Sequence, residues 1–187
     1  MRIISGKLKG KSVAFIKTAA TRPLKDSVKE NIFNIITHSN LLNINLKNSN
    51  ILDLYSGIGS FGLECISRGA KKVTFVELNR NVAQILKKNL LTLSINDKAK
   101  IINGKVIDFL NEKQPEKFDI FFLDPPFSDD SFIEELKLIK TKKIYKNDHI
   151  IIIHREKRSS DNFTKLLKPI INKEYGRSKI IFSKFLD

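Results

Sequence analysis

The sequence predicts an α/β fold built on a doubly wound, mostly parallel sheet whose last strand is antiparallel. Three observations predict it. From Asn50 onward, short β-prone runs alternate strictly with segments of helical periodicity, the pattern of strands joined by crossover helices. One of those runs opens directly into a glycine-rich loop, DLYSGIGSFG. The chain closes with two strand-like runs, PIINKEYG and SKIIFSKF, separated only by the tight turn Tyr175-Gly176-Arg177, which forces them antiparallel.

The elements follow in order. RIISGKLKGKSVAFI reads as two short strands around Gly6 and Gly10, a hairpin. TRPLKDSVKENIFNIITHS then places a breaker at Pro23 and a cap at Asp26, ahead of Val28, Ile32, Ile35 and Ile36 at helical spacing. Residues 1–45 are thus a basic appendage to a core over 46–187, together one domain. In the core, ILDLYS is a strand, Ser60 to Ser67 a helix, KKVTFVE a strand and Asn79 to Leu93 a helix with Val82, Ile85, Leu86 and Leu90 on one face. AKIING is a strand, Val106 to Asn111 a short helix, FDIFFLD a strand and Asp129 to Lys140 a helix. HIIIIH is a strand, and Asp161 to Leu167 a helix before the final pair.

The composition narrows the function classes. No apolar run approaches the roughly 20 residues of a membrane span, and the opening MRIISGKLKGK is too polar for a signal peptide. The lone Cys65 permits neither an intrachain disulfide nor a cysteine metal cluster, which suits the cytoplasm. His38, His149 and His154 lack metal-ligand spacing, so no metal is expected. The 34 basic and 20 acidic residues leave a formal charge of +14, which suggests a polyanionic partner. Part of that excess reflects a chain rich in Lys, Asn and Ile throughout; position says more than the total. Met1 to Lys25 carries Arg2, Lys7, Lys9, Lys11, Lys17, Arg22 and Lys25 with no acidic residue, the pattern of a phosphate-binding arm. Arg22, beside Pro23, is the leading substrate-side cation, and His154, Arg155, Lys157 and Arg158 form a second basic group able to touch RNA.

Ligands of doubly wound sheets sit beyond the carboxyl ends of the strands, where this chain places Asp53 to Gly59, Glu77, Asp108 and Asp124 to Phe127. Gly57, Gly59 and Gly62 make G-x-G-x-x-G after a strand and opening a helix, with Glu77 beyond, and alone this fits a dinucleotide fold. Asp53, just before the glycines, argues otherwise. A carboxylate there opposes a pyrophosphate but suits a cofactor carrying an ammonium group beside a sulfonium centre, such as S-adenosylmethionine. On that reading Tyr55, Ser56, Gly57 and Gly59 form the cofactor loop, Glu77 accepts from the ribose hydroxyls with Leu78 beside it, and Asp108 and Phe109 read the adenine edge.

FDIFFLDPPF suits methylation of an exocyclic nucleobase amine, a poor nucleophile because its lone pair is delocalised into the ring. Asp124 and a carbonyl of Pro125-Pro126 can accept its two N–H bonds and turn the lone pair toward the methyl group. The prolines stiffen the loop, and Phe127 offers a face on which a flipped base stacks.

Taken together, DLYSGIGSFGLECISRGA, FVELN, FFLDPPF, RIISGKLKG, TRPLKDSVKENIFNII and YGRSKIIF resemble the RsmD-type 16S ribosomal RNA guanine-N2 methyltransferases over nearly the whole chain. The resemblance implies a seven-stranded, Rossmann-like class I methyltransferase fold with S-adenosylmethionine as donor. It also implies a monomeric bacterial enzyme that methylates the guanine at position 966 of 16S ribosomal RNA in small-subunit material. Two departures stand out. Phe127 replaces the family's usual tyrosine, keeping the ring and losing a hydroxyl. After Arg22-Pro23 the chain has Leu24, Lys25, Ser27 and Lys29 where the family has threonines and arginines, which weakens bidentate phosphate contacts.

Guanine presents N1–H beside its amino group, two donors for the two oxygens of Asp124, whereas adenine N1 would repel them. An adenine-N6 or protein-glutamine methyltransferase is the first alternative. A dinucleotide oxidoreductase leaves Asp53 and DPPF unexplained, and a non-catalytic RNA-binding module leaves Asp124 and Glu77 without a task.

Overall fold

The computed structural model describes residues 1–15, 24–114, 116–163 and 165–186. Among them, one seven-stranded sheet is formed by β1 (Asn50–Leu54), β2 (Lys72–Glu77), β3 (Ala99–Asn103), β4 (Phe118–Leu123), β5 (Tyr145–Glu156), β6 (Leu167–Tyr175) and β7 (Ser178–Phe185). Its spatial order is β3-β2-β1-β4-β5-β7-β6. The first five strands run parallel, and β7 lies antiparallel between β5 and β6. The helices are α1 (Asp26–His38), α2 (Ser60–Ser67), α3 (Arg80–Thr92), α4 (Val106–Asn111) and α5 (Phe132–Lys142). Among the described residues no helix is long and apolar enough to cross a membrane.

Strand side chains alternate between two cores, as the period of two requires. Ile51, Val73, Phe75, Ile120, Phe122, Ile150 and Ile152 face one cluster with α1, α2 and α3. Leu52, Leu54, Val76, Phe121, Leu123, Ile151 and Ile153 face the other, with α4 and α5. Both faces are covered, so the strands read as continuous apolar runs.

Four details differ from the sequence expectation. The described residues of the Asp161 to Leu167 segment are not helical. Ser159 and Arg155 engage the Asp161 carboxylate, only a single turn closes on the Phe163 carbonyl, and Leu167 already begins β6. Asp26 is the first residue of α1 rather than its cap, a position occupied by Lys25 without a side-chain bond. Helix α5 starts at Phe132, because the Asp129 side chain and the Pro126 carbonyl hold the chain in turns before it. The opening hairpin is reduced to one bridge, Arg2 to Ser12.

That opening segment keeps a few cross-strand backbone bonds, Ile3 amide to Lys11 carbonyl and Val13 amide to Met1 carbonyl among them, and side chains of the core hold it in place. Ile3 and Val13 are buried in the core shared with α1. Glu64, 0% exposed on α2, accepts the Ile4 and Ser5 amides at 2.8 and 2.9 Å while pairing with Arg68. Asn89 of α3 both accepts from and donates to the backbone of Ala14. Gly6 has φ +81, and an added Cβ would meet the Ser67 carbonyl at 2.0 Å, so no larger residue fits.

Two outcomes follow. Glu64→Ala strands two partly buried amides and Arg68, and should cost about 3–5 kcal/mol in urea unfolding while exposing the Ile4 and Ser5 amides to hydrogen exchange; unchanged protection there would refute the tether. His149 must stay neutral, since Nδ1 donates to the Lys146 carbonyl and Nε2 accepts from the Phe185 amide. Burial lowers its pKa, so its contribution is complete above about 6.5 and is lost as pH falls below that value, where the unfolded ring takes the proton first. The urea midpoint should therefore fall less steeply from pH 7 to about 5.5 in His149→Gln than in the wild type.

Candidate active site

The carboxyl edge of the sheet opens into a cleft of about 1410 Å³. It is bounded by the loop after β1, the ends of β2 and β4, the start of α1 and the Tyr175–Ser178 turn. Asp53, Tyr55, Ser56, Gly57, Glu77 and Leu78 line it together with Asp124, Pro125, Pro126 and Phe127, so the structure brings the expected cofactor loop and the DPPF loop to one space. Gly59, Asp108 and Phe109 are not part of the wall; Lys105 and Ile107 stand there instead. Asp108 is exposed in the first turn of α4, and Phe109 is buried beneath it.

The glycine loop is tied from both sides. Glu77 accepts the Gly57 amide at 2.8 Å and the Asn79 amide at 2.7 Å, joining the end of β2 to the loop and to the start of α3. Asp53, buried at the strand end, accepts the Gly62 amide at 3.0 Å. Burial raises its pKa well above the ordinary carboxylate range; the Gly62 bond opposes this, and the charges of Asp124 and Glu77 add to it. Gly62 itself allows α2 to lie on β2, since an added Cβ would meet the Phe75 ring at 2.2 Å. At Gly57 an added Cβ would touch nothing, because that residue borders the open cleft.

The DPPF loop is anchored by two consecutive residues of β5. Arg155 is 2% exposed and forms a bidentate pair with Asp161, while its remaining N–H bonds reach the carbonyls of Pro126 at 3.0 Å and Phe127 at 3.1 Å. Its guanidinium also lies over the Phe132 ring of α5. Burial alone would raise the Asp161 pKa, but the hydrogen bonds from Arg155 and Ser159 hold it below the ordinary value. Arg155 is therefore a structural clamp and not the RNA contact expected from the basic run. His154, one residue earlier, places Nδ1 2.8 Å from Asp124 Oδ1. Phe127 is 41% exposed above the loop, consistent with an open aromatic face.

On the opposite wall the Tyr55 hydroxyl donates to Glu135 at 2.6 Å. Burial, and to a lesser degree Asp129, push the Glu135 pKa up to about 7, with the Tyr55 bond opposing them. Tyr55 sits at φ +59, a left-handed conformation uncommon for a tyrosine, and the Glu135 bond helps to fix it. Neither Glu135 nor the His154–Asp124 pairing was expected from the sequence. Glu135 gave no signal beyond helix periodicity, whereas His154 ends a predicted strand at the ligand edge and was legible by the same rule that flagged Asp124.

Six carboxylates border the cleft among the described residues (Asp53, Glu77, Asp124, Asp129, Glu134 and Glu135), against the cations Lys25, Lys105 and Arg177. An acidic hollow in a chain of charge +14 favours a cationic ligand at its floor. Among the described residues no group of three or more His, Cys, Asp or Glu side chains is arranged to hold a metal ion. Of the arm residues, Arg2, Lys7, Lys9 and Lys11 are exposed, Lys25 is exposed at the cleft, and Arg22 and Lys17 lie outside the described residues.

Comparison with known proteins identifies the family of the chain. The family model described as Conserved hypothetical protein 95 matches residues 1–184. Ribosomal RNA small subunit methyltransferase D of Haemophilus influenzae is 38% identical over 159 residues, covering 84% of this chain and 79% of that protein. The protein of the same name from Buchnera aphidicola is 34% identical over 192 residues, covering 100% and 92%. A solved structure of a proposed methyltransferase from Escherichia coli superposes with a TM-score of 0.85 at 27% identity, covering 99% of this chain and 97% of that one. With a family model spanning almost its full length and named relatives at these identities, the chain belongs to the Conserved hypothetical protein 95 family, that of the RsmD-type methyltransferases.

Proposed function

We propose that this protein methylates the exocyclic N2 of a guanine in 16S ribosomal RNA of the small subunit, with S-adenosylmethionine as donor and the arm 1–45 and core 46–187 acting as one unit. The observation that carries the reading is the shared cleft. It joins a glycine loop backed by Asp53 and Glu77 to a rigid loop presenting Asp124, a carbonyl and an aromatic ring. The named relatives support the ribosomal substrate.

The cofactor side fits the residues present. Ser56 and Ser60 line the cleft with buried hydroxyls that have no partner among the described residues, and Gly57 leaves the loop open. Asp53, Tyr55, Ser56, Gly57, Glu77 and Leu78 would hold the cofactor, with Glu77 on the ribose and the acidic wall facing its cationic part. Once bound, the cofactor supplies an electrophilic methyl group. Gly59 serves from behind, setting the turn into α2, and the adenine end falls to Lys105 and Ile107, which stand on the wall where Asp108 and Phe109 were expected. A dinucleotide would bring its pyrophosphate against the same carboxylates, which disfavours an oxidoreductase.

On the acceptor side Arg155 occupies the carbonyls of Pro126 and Phe127, leaving that of Pro125 to accept one amine N–H. Asp124 accepts the other. Its Oδ1 carries the His154 bond, so Oδ2 faces the amino group while the second lone pair of Oδ1 can take guanine N1–H. Phe127 stacks on the flipped base, worth about 1–3 kcal/mol. Outside the cleft, Arg2, Lys7, Lys9, Lys11, Arg22 and Lys25 would meet the RNA backbone.

The direct test is transfer of labelled methyl from S-adenosylmethionine to small-subunit particles and to protein-free 16S RNA, followed by nucleoside analysis. N2-methylguanosine is the expected product, and N6-methyladenosine would move the target base. Asp124→Asn should lower kcat by about 100-fold or more while cofactor Kd changes by less than about 3-fold, because the carboxylate acts on the acceptor. Undiminished guanine methylation by that variant would overturn the role given to Asp124.

A further inference from the structure

We propose that His154 is the positioning residue that sets the methyl-acceptor geometry, by fixing Asp124 and Phe127 relative to one another. The inference rests on the roles given to those two residues above. Three observations carry it. His154 Nδ1 lies 2.8 Å from Asp124 Oδ1, and because a carboxylate only accepts, the ring must donate. The same ring meets Phe127 edge-on, with centroids 5.6 Å apart and planes at 82°. Its own backbone is fixed, since His154 pairs with Ile180 in the ladder between β5 and β7, and the next residue is the Arg155 clamp.

The physical reason is one of freedom removed. An aspartate has two rotatable torsions, and Asp124 stands just beyond the end of β4, where its amide reaches the Leu54 carbonyl at 3.5 Å but the ladder does nothing to orient its side chain. A charge-assisted bond confines the carboxylate to one orientation. The edge-to-face contact selects one plane for the ring on which the base would stack. One imidazole thus couples the group that accepts the amine hydrogens to the surface that supports the base. A displacement of about 1 Å between them would cost on the order of 100-fold in rate. His154 touches neither the cofactor nor the reacting atoms on this account; it acts through its two neighbours.

The test compares wild type, His154→Ala and His154→Asn in the methyl-transfer assay on particles and free 16S RNA, with cofactor Kd measured separately by calorimetry as a check on folding. His154→Ala should lose about 10–100-fold in kcat while RNA KM and cofactor Kd stay within about 3-fold. His154→Asn, whose amide can donate from about the position of Nδ1, should recover to within about 5-fold of wild type. Independently of activity, nitrogen-15 NMR of the wild-type ring should show Nδ1 protonated, with a signal that moves in Asp124→Asn. Wild-type turnover in the Ala variant, equal losses in Ala and Asn, or an unprotonated Nδ1 would each overturn the positioning role. Methylation of adenine instead of guanine would sink the proposed target alone, because the Ala and Asn contrast still decides His154; no methyl transfer by the wild type to either substrate would sink both.

Discussion

The direction in which the chain winds from β1 decides where everything else can stand. From that strand the chain moves outward through β2 and β3, then crosses back to lay β4 on the other side. Crossover helices on the two sides therefore diverge at the carboxyl end of β1, and a crevice opens between them. Asp53 and the glycine loop are the last residues of one wall, and Asp124 with its two prolines begins the other. Neither loop shapes the cleft alone; the reversal of strand order does, and the loops supply its chemistry.

The winding was readable because it is written in local patterns. Each parallel strand is a short apolar run, each crossover a segment with helical spacing, and the turn at Gly176 leaves the last two strands only one mutual direction. Helices α2 and α4 lie where periodicity put them. The reading failed where a long-range polar contact overrode local preference. Asp161 reads as a helix start, but in the fold its carboxylate belongs to Arg155, six residues earlier on a different element. Arg155 in turn reads as surface charge, and nothing near it in the chain reveals that two loop carbonyls and an aromatic ring await it. Pairing across elements leaves no periodic trace, so the clamp, the Tyr55–Glu135 bond and the His154–Asp124 bond emerged only with the structure.

The distribution of charge separates two tasks in one small molecule. The exposed surface of the arm is basic, whereas the cleft wall gathers carboxylates whose mutual repulsion helps keep Asp53 from ionising easily. A field of one sign outside and another within draws a polyanion to the rim without drawing its phosphates to the floor. Lys25, Lys105 and Arg177 mark the boundary between the two.

The tether that holds the opening segment also has a meaning in time. Ile4, Ser5 and Leu8 are bound by residues 59 or 60 positions later, and Ala14 by one 75 positions later. During synthesis at about 5–20 residues per second, the basic arm is therefore made several seconds before its anchors exist. For that interval it is an unpaired cationic strand emerging from a ribosome, itself largely RNA, and only the arrival of α2 and α3 converts it from loose polyelectrolyte into a shaped surface. The order of translation thus leaves the placement of Ile4 to Ala14 incomplete until the helices behind the cofactor loop are in place.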